Sequence, residues 1–129
     1  MEAIEIHNEE HIALARQTAR RVAEKLGFRL VDKTRVATAV SELARNVYVH
    51  GGGGRMEIEE IHQGERIGIR FIFIDEGPGI ANVEQAIQDG FSTSKGLGQG
   101  LPGSKRLMDD LQIESELGKG TKVETIKWK

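Results

Sequence analysis

The chain contains no cysteine, which excludes disulfides, thiolate metal sites and cysteine nucleophiles together. Neither sign of charge prevails: 18 Lys plus Arg stand against 20 Asp plus Glu, a net charge of -2. That balance argues against nucleic acid or an anionic membrane as a partner. No apolar run approaches a membrane span, and Met1 to Glu10 is mostly polar and acidic where a signal peptide would be basic and then apolar. A cytoplasmic protein is expected. At 129 residues the chain is too short for two independent cores, so residues 1–129 read as a single domain. Apolar residues at 38% and charged residues at 29% suffice for a modest core under a solvated surface and exclude a disordered chain.

What the sequence has in excess is glycine, 16 residues, against an ordinary share of about 7%. Most of them cluster: Gly51 to Gly54, then Gly77 and Gly79, then Gly96, Gly98, Gly100 and Gly103, then Gly118 and Gly120. Clustering of this kind marks backbone that turns sharply or approaches a ligand closely.

Ala3 to His7 alternate and predict a short strand. Asn8 can cap a helix whose first turn carries Glu9 and Glu10, and Ile12, Ala15, Ala19, Val22 and Leu26 recur at helical spacing until Gly27. A second helix is expected from about Asp32, with Val36, Val40, Leu43 and Val47 as its buried stripe and Gly51 ending it. Met56 and Ile58, then Ile67, Ile69, Phe71 and Phe73, alternate across Gln63-Gly64-Glu65 and predict a hairpin. Ile72 and Ile74 make its second strand apolar on both faces, as in a central strand. Val83 to Gln88 and Leu101 to Asp109 suit short helices, Pro102 being tolerable only in a first turn. Leu111 to Leu117 and Thr121 to Trp128 close the chain as a hairpin across Gly118-Lys119-Gly120. The order suggests an α+β fold, a layer of helices on one face of a mixed sheet.

Four motifs carry chemistry. Glu42 and Asn46, four residues apart, share a helix face away from the apolar stripe. A carboxylate can take a proton from an attacking hydroxyl and an amide oxygen suits magnesium; a solvated helix face is the alternative reading of the same spacing. Asp75-Glu76-Gly77-Pro78-Gly79-Ile80 follows a strand, placing one carboxylate beside backbone that a flat ring can approach, with Ile80 to stack on it. Adenine would fit, and so would an ordinary Asp-capped turn. Gly96-Leu97-Gly98-Gln99-Gly100-Leu101-Pro102-Gly103 precedes a helix and leaves amide donors exposed, an anion cradle able to move like a lid, with Lys95 in reach of a terminal phosphate. It is neither a P-loop nor a dinucleotide fingerprint. Gly118-Lys119-Gly120-Thr121 alone is a hairpin turn with a hydroxyl beside it.

In this order, Glu-Leu-Ala-Arg-Asn on a helix, Asp-Glu-Gly-Pro-Gly after a strand, Gly-Leu-Gly-Gln-Gly-Leu before a helix and Gly-Lys-Gly-Thr in a last hairpin, the set resembles the N box and glycine boxes of the GHKL superfamily of gyrase, histidine kinases and MutL. The resemblance covers nearly the whole chain and implies the Bergerat ATP-binding fold, a two-layer α/β sandwich with helices on one face of a mixed, mostly antiparallel sheet. The chain's small size, Glu42 and His50 resemble the stand-alone serine/threonine kinases that act as anti-sigma factors or switch proteins. The resemblance implies Mg-ATP as cofactor, Asn46 as magnesium ligand and Glu42 as general base. It further implies Asp75 at the adenine amino group with Gly77, Gly79 and Ile80 around it. Gly96, Gly98, Gly100 and Leu101 with Lys95 would lie over the phosphates, and Thr121 would close the base pocket. The implied substrate is a serine or threonine on a STAS-domain protein of the anti-anti-sigma or stressosome type, in bacterial stress signalling. A PP2C-type phosphatase activated by binding is a further implied partner. The alternative is a nucleotide-dependent binding module with little phosphoryl transfer. His7, His11, His50 and His62 have no ligand-set spacing, and His50 reads as a helix-end residue.

Overall fold

The computed structural model describes residues 2–78 and 103–129. Strand β1 (Glu2–Ile6) leads into helix α1 (Glu9–Lys25) and helix α2 (Leu30–Val49); strands β2 (Gly54–Gln63) and β3 (Arg66–Asp75) form a hairpin, and β4 (Asp110–Glu116) and β5 (Gly120–Trp128) form another. Residues 103–107, between β3 and β4, are helical. The expected helix over Val83 to Gln88 lies outside the described residues.

Local chemistry explains the boundaries. The Asn8 side chain accepts from His11 N–H at 2.9 Å and caps α1. At the other end Phe28 N–H donates to Ala23 O and Gly27 N–H to Glu24 O, each at 3.0 Å, with Gly27 at φ 84°: a Schellman close that requires the glycine. Helix α2 starts at Leu30, two residues before the expected Asp32, because its N-cap position holds Arg29, which makes no side-chain cap bond and gives no sequence signal. His50 is its C-cap, donating its N–H to Asn46 O at 3.0 Å, so the histidine is a helix-end residue as expected.

The strands lie in the order β1-β2-β3-β5-β4, and all four pairings are antiparallel, the limiting case of the mostly antiparallel sheet expected. Opposed residues across the sheet share a face, so the register defines rows running over it. Ile4, Met56, Phe73, Val123 and Ile113 make one row; Ile58, Phe71, Thr125 and Leu111 make the next. These apolar rows meet Val36, Val40, Leu43 and Val47 of α2 and Ile12, Ala15 and Ala19 of α1 in one core. Ala37, Ala39 and Ala44 are also buried, because α2 packs against both the sheet and α1 and has to be narrow on more than one side. The rows on either side of these two carry Asp75 at one end and Lys127 at the other.

Candidate functional site

The row at one end of the helix-covered face is Ile6, Gly54, Asp75, Thr121 and Ser115, crossing all five strands. It puts the last residue of β3 beside the first residues of β5. Asp75 is half-buried, and its Oδ1 accepts from Gly77 N–H at 2.9 Å. Burial pushes its carboxyl above the usual value, while the backbone N–H groups of Gly77 and Thr121 pull it back down. No cation is paired with Asp75 among the described residues. A carboxylate so held lacks a charged or amino donor.

Glycines make that position possible. A side chain at Gly51 would run into the Asp75 carboxyl, and one at Gly77 would lie 2.6 Å from Gly51 Cα. Gly120, at φ 90°, leaves no room for a Cβ against Asp75 O. Gly118 N–H donates to Pro78 O at 2.9 Å, so the β4–β5 turn holds the segment after Asp75 in place. Gly51 N–H in turn donates to Asn46 O at 3.0 Å, which ties the end of α2 to the same cradle.

Asn46 is part-buried and its Nδ2 is fully buried with no hydrogen-bond partner among the described residues. A buried amide of this kind calls for a partner outside the described residues. Glu42, one helical turn earlier, is exposed. Arg45 meets Glu9 of α1 at 3.5 Å, an exposed pair with little effect on stability. Beside Asp75 opens a groove of about 340 Å³ lined by Ile74, Asp75, Glu114, Ser115, Glu116, Lys119, Gly120, Thr121 and Lys122. Ser115 Oγ lies 2.8 Å from Thr121 Oγ1 and donates to Gly120 O at 3.0 Å.

The structure therefore brings Asn46, Asp75, Gly77 and Thr121 to one end of the sheet and leaves Glu42 on the adjoining helix. Gly79, Ile80, Lys95, Gly96, Gly98, Gly100 and Leu101 lie outside the described residues. Two participants escape sequence reasoning. Gly51 reads as a helix terminator, and only its place in a run of four glycines hints at more. Ser115 carries no motif, although its register opposite Thr121 follows from the hairpin turn.

A family model described as the histidine kinase-like ATPase domain matches residues 7–127. The chain is 48% identical over 125 residues, 97% of its own length and 94% of the relative's, to serine/threonine-protein kinase RsbT of Bacillus subtilis (strain 168). It is 34% identical over 122 residues, 90% of this chain and 84% of the relative, to an anti-sigma F factor of Thermoanaerobacter sp. (strain X514). Among solved structures, the mycobacterial sensor histidine kinase MprB is similar with a TM-score of 0.58, covering 98% of this chain and 96% of that one. At 17% identity that last likeness concerns the fold alone.

Proposed function

The chain belongs to the histidine kinase-like ATPase domain family, and from that premise we propose that it is an ATP-dependent serine/threonine protein kinase acting on a STAS-domain protein. The γ-phosphoryl group of Mg-ATP passes to a serine or threonine of an anti-anti-sigma or stressosome-scaffold partner, as one step of partner switching in the bacterial cytoplasm. The observation that carries the nucleotide reading is Asp75, a half-buried carboxylate held by backbone N–H groups in a cradle of glycines.

The residues fit the group they would hold. Asp75 accepts from the exocyclic amino group of adenine, and Thr121 borders the same pocket. The Asn46 amide offers its oxygen to magnesium and its unpartnered nitrogen to phosphate. Magnesium supplies charge neutralisation on the phosphates as the phosphoryl group moves. Glu42 takes the proton of the attacking hydroxyl while its oxygen bonds to the γ-phosphorus and the bond to the β–γ bridging oxygen breaks, releasing ADP. The sequence motifs assign Gly96, Gly98, Gly100 and Leu101, with Lys95, to the phosphates, and Gly79 and Ile80 to the base.

A second reading is supported by the anti-sigma F factors, relatives named for binding a protein. In it the chain is a nucleotide-dependent binding module that captures or activates a partner such as a PP2C-type phosphatase, with little phosphoryl transfer. Incubation with labelled ATP and a candidate STAS protein separates the two. Acid-stable phosphate on a serine or threonine of the partner supports the kinase. Nucleotide-dependent complex formation without that phosphate supports the module.

A further inference from the structure

We propose that Arg45 and Val49 of α2 receive the acceptor protein, and that the segment they receive carries an acidic residue beside its phosphorylated serine or threonine. This rests on the kinase reading of the site, with Glu42 as the base and Asn46 on magnesium.

Helix geometry sets the two sides of Glu42. Each residue advances about 100° around a helix, so Asn46, four residues on, lies about 40° to one side of Glu42, and Arg45, three residues on, about 60° to the other. Thr38 and Val49 fall on the Arg45 side by the same count, at about 40° and 20°. Burial follows that division: Thr38, Glu42, Arg45 and Val49 are exposed, whereas Asn46 is part-buried and its amide nitrogen fully so. In phosphoryl transfer the attacking and leaving oxygens lie roughly in line on opposite sides of the phosphorus. A nucleotide held from the Asn46 side therefore takes its attacking hydroxyl from the Arg45 side. To bring a hydroxyl to Glu42, the acceptor protein has to lie over the stripe of Thr38, Arg45 and Val49.

That stripe has one basic group. Arg45 is the only lysine or arginine between Arg35 and Arg55. Its side chain is 49% exposed, and its one ion pair among the described residues is a single contact at 3.5 Å with Glu9, itself 66% exposed. A long, solvent-exposed pair of this kind is weakly held and exchanges readily for a better placed carboxylate. The arginine fork can give a carboxylate two parallel bonds, a geometry that the single contact with Glu9 does not use. An acidic residue beside the acceptor hydroxyl would otherwise face only the like charge of Glu42, and a basic one would be rejected by Arg45. Val49, four residues after Arg45 and 55% exposed, adds an apolar step on the same helix face.

Arg45 is thus a specificity residue, and its effect should appear in the KM for the acceptor. The measurement is steady-state transfer by the whole chain to the purified candidate STAS protein of the labelling experiment. Arg45→Ala should raise the acceptor KM by about 5- to 10-fold, between the strongest exposed ion pairs and the weakest hydrogen bonds to a charged group. Its kcat and its calorimetric ATP affinity should stay at the wild-type values. Arg45→Glu should raise KM further, and exchanging the acidic residue beside the acceptor's phosphorylated site for lysine should recover part of that loss in this variant alone. Val49→Asp should also raise KM. In about 0.5 M salt the wild-type KM should approach that of Arg45→Ala, because exposed charges are then screened. If Arg45→Ala does not fold, Arg45→Gln, which keeps most of the stem, takes its place.

An unchanged acceptor KM in the Arg45 variants overturns the proposal, and so does an acceptor whose phosphorylated site has no acidic neighbour. Weaker binding of a PP2C-type phosphatase with the acceptor KM unchanged gives the face to that partner and overturns it as well. A wild-type chain that transfers no phosphate to any STAS acceptor instead overturns the kinase reading beneath it.

Discussion

The two polar ends of the sheet's helix-covered face bury charge in opposite ways. At one end Asp75 receives, among the described residues, only backbone N–H donors, and its carboxyl is pushed up by desolvation. At the other end Lys127, 6% exposed, lies 3.5 Å from Asp109 and 3.9 Å from Asp32. Asp32 is itself 3.7 Å from both Arg29 and Arg35, and Asp109 accepts from Trp128 N–H at 2.6 Å. Lys127 joins the first turn of α2, β5 and the turn before β4 into a closed ion network. A buried charge that has its counterions holds elements together. A buried charge without them is poised for something that arrives, which is the physical content of the term binding site.

The comparison makes opposite demands on mutants: the Asp75 end should lose function and keep stability, and the Lys127 end should do the reverse. The largest effect is expected beside the Asp75 end. Glu42→Ala should slow phosphoryl transfer to a STAS partner by roughly 10²- to 10⁴-fold, with ATP affinity nearly unchanged, as read by single-turnover labelling. Asn46→Ala should lose Mg-ATP binding and transfer together, since the amide touches both metal and phosphate in this account. Wild-type rates in Glu42→Ala would remove that residue as the base.

At the far end, Lys127→Met should lower unfolding stability by about 3 kcal/mol in a denaturant titration, the low end of what breaking a buried ion pair costs, because Asp32 keeps its arginines. ATP affinity of the folded fraction should stay at the wild-type value. A variant that instead unfolded like the wild type would erase the contrast between the two ends.

The smallest effect is a pH dependence. The folded-state carboxyl of Asp75 is raised, so the folded chain holds that proton more tightly than the unfolded one. Stability therefore falls as pH rises from the ordinary carboxylate value through the raised one, and the penalty is absent in stronger acid. Asp75→Asn lacks this titration. Its melting temperature should match or exceed that of the wild type near neutral pH and lose any advantage in acid, a trend that thermal melts across pH would reveal.

The core rows were legible in the sequence because strand alternation and helical spacing report burial directly. Ile69, Phe71 and Phe73, and Val36, Val40, Leu43 and Val47, are buried where their periods put them. Lys127 was not legible, since its burial depends on carboxylates from two distant segments that no local pattern connects. The site was half legible. The motifs singled out Asn46 and Asp75, but the contact of Gly51 with Asp75 and the Ser115–Thr121 hydrogen bond follow from the β2–β3 and β4–β5 registers. An Asp-capped turn, the alternative reading of Asp75-Glu76-Gly77, is also present: Gly77 N–H does bond the carboxylate. Cap and proposed ligand group are here the same oxygen-bearing side chain.

Asp75, without a counterion among the described residues, is proposed to take the amino group of adenine. Calorimetric titration of Asp75→Asn with ATP, beside the wild type, tests it most directly. A hydrogen bond to a charged group contributes about 1.5–3 kcal/mol, so the account predicts an affinity loss of about 10- to 150-fold in a protein that melts no lower than the wild type at neutral pH. Wild-type affinity in the folded variant would contradict it.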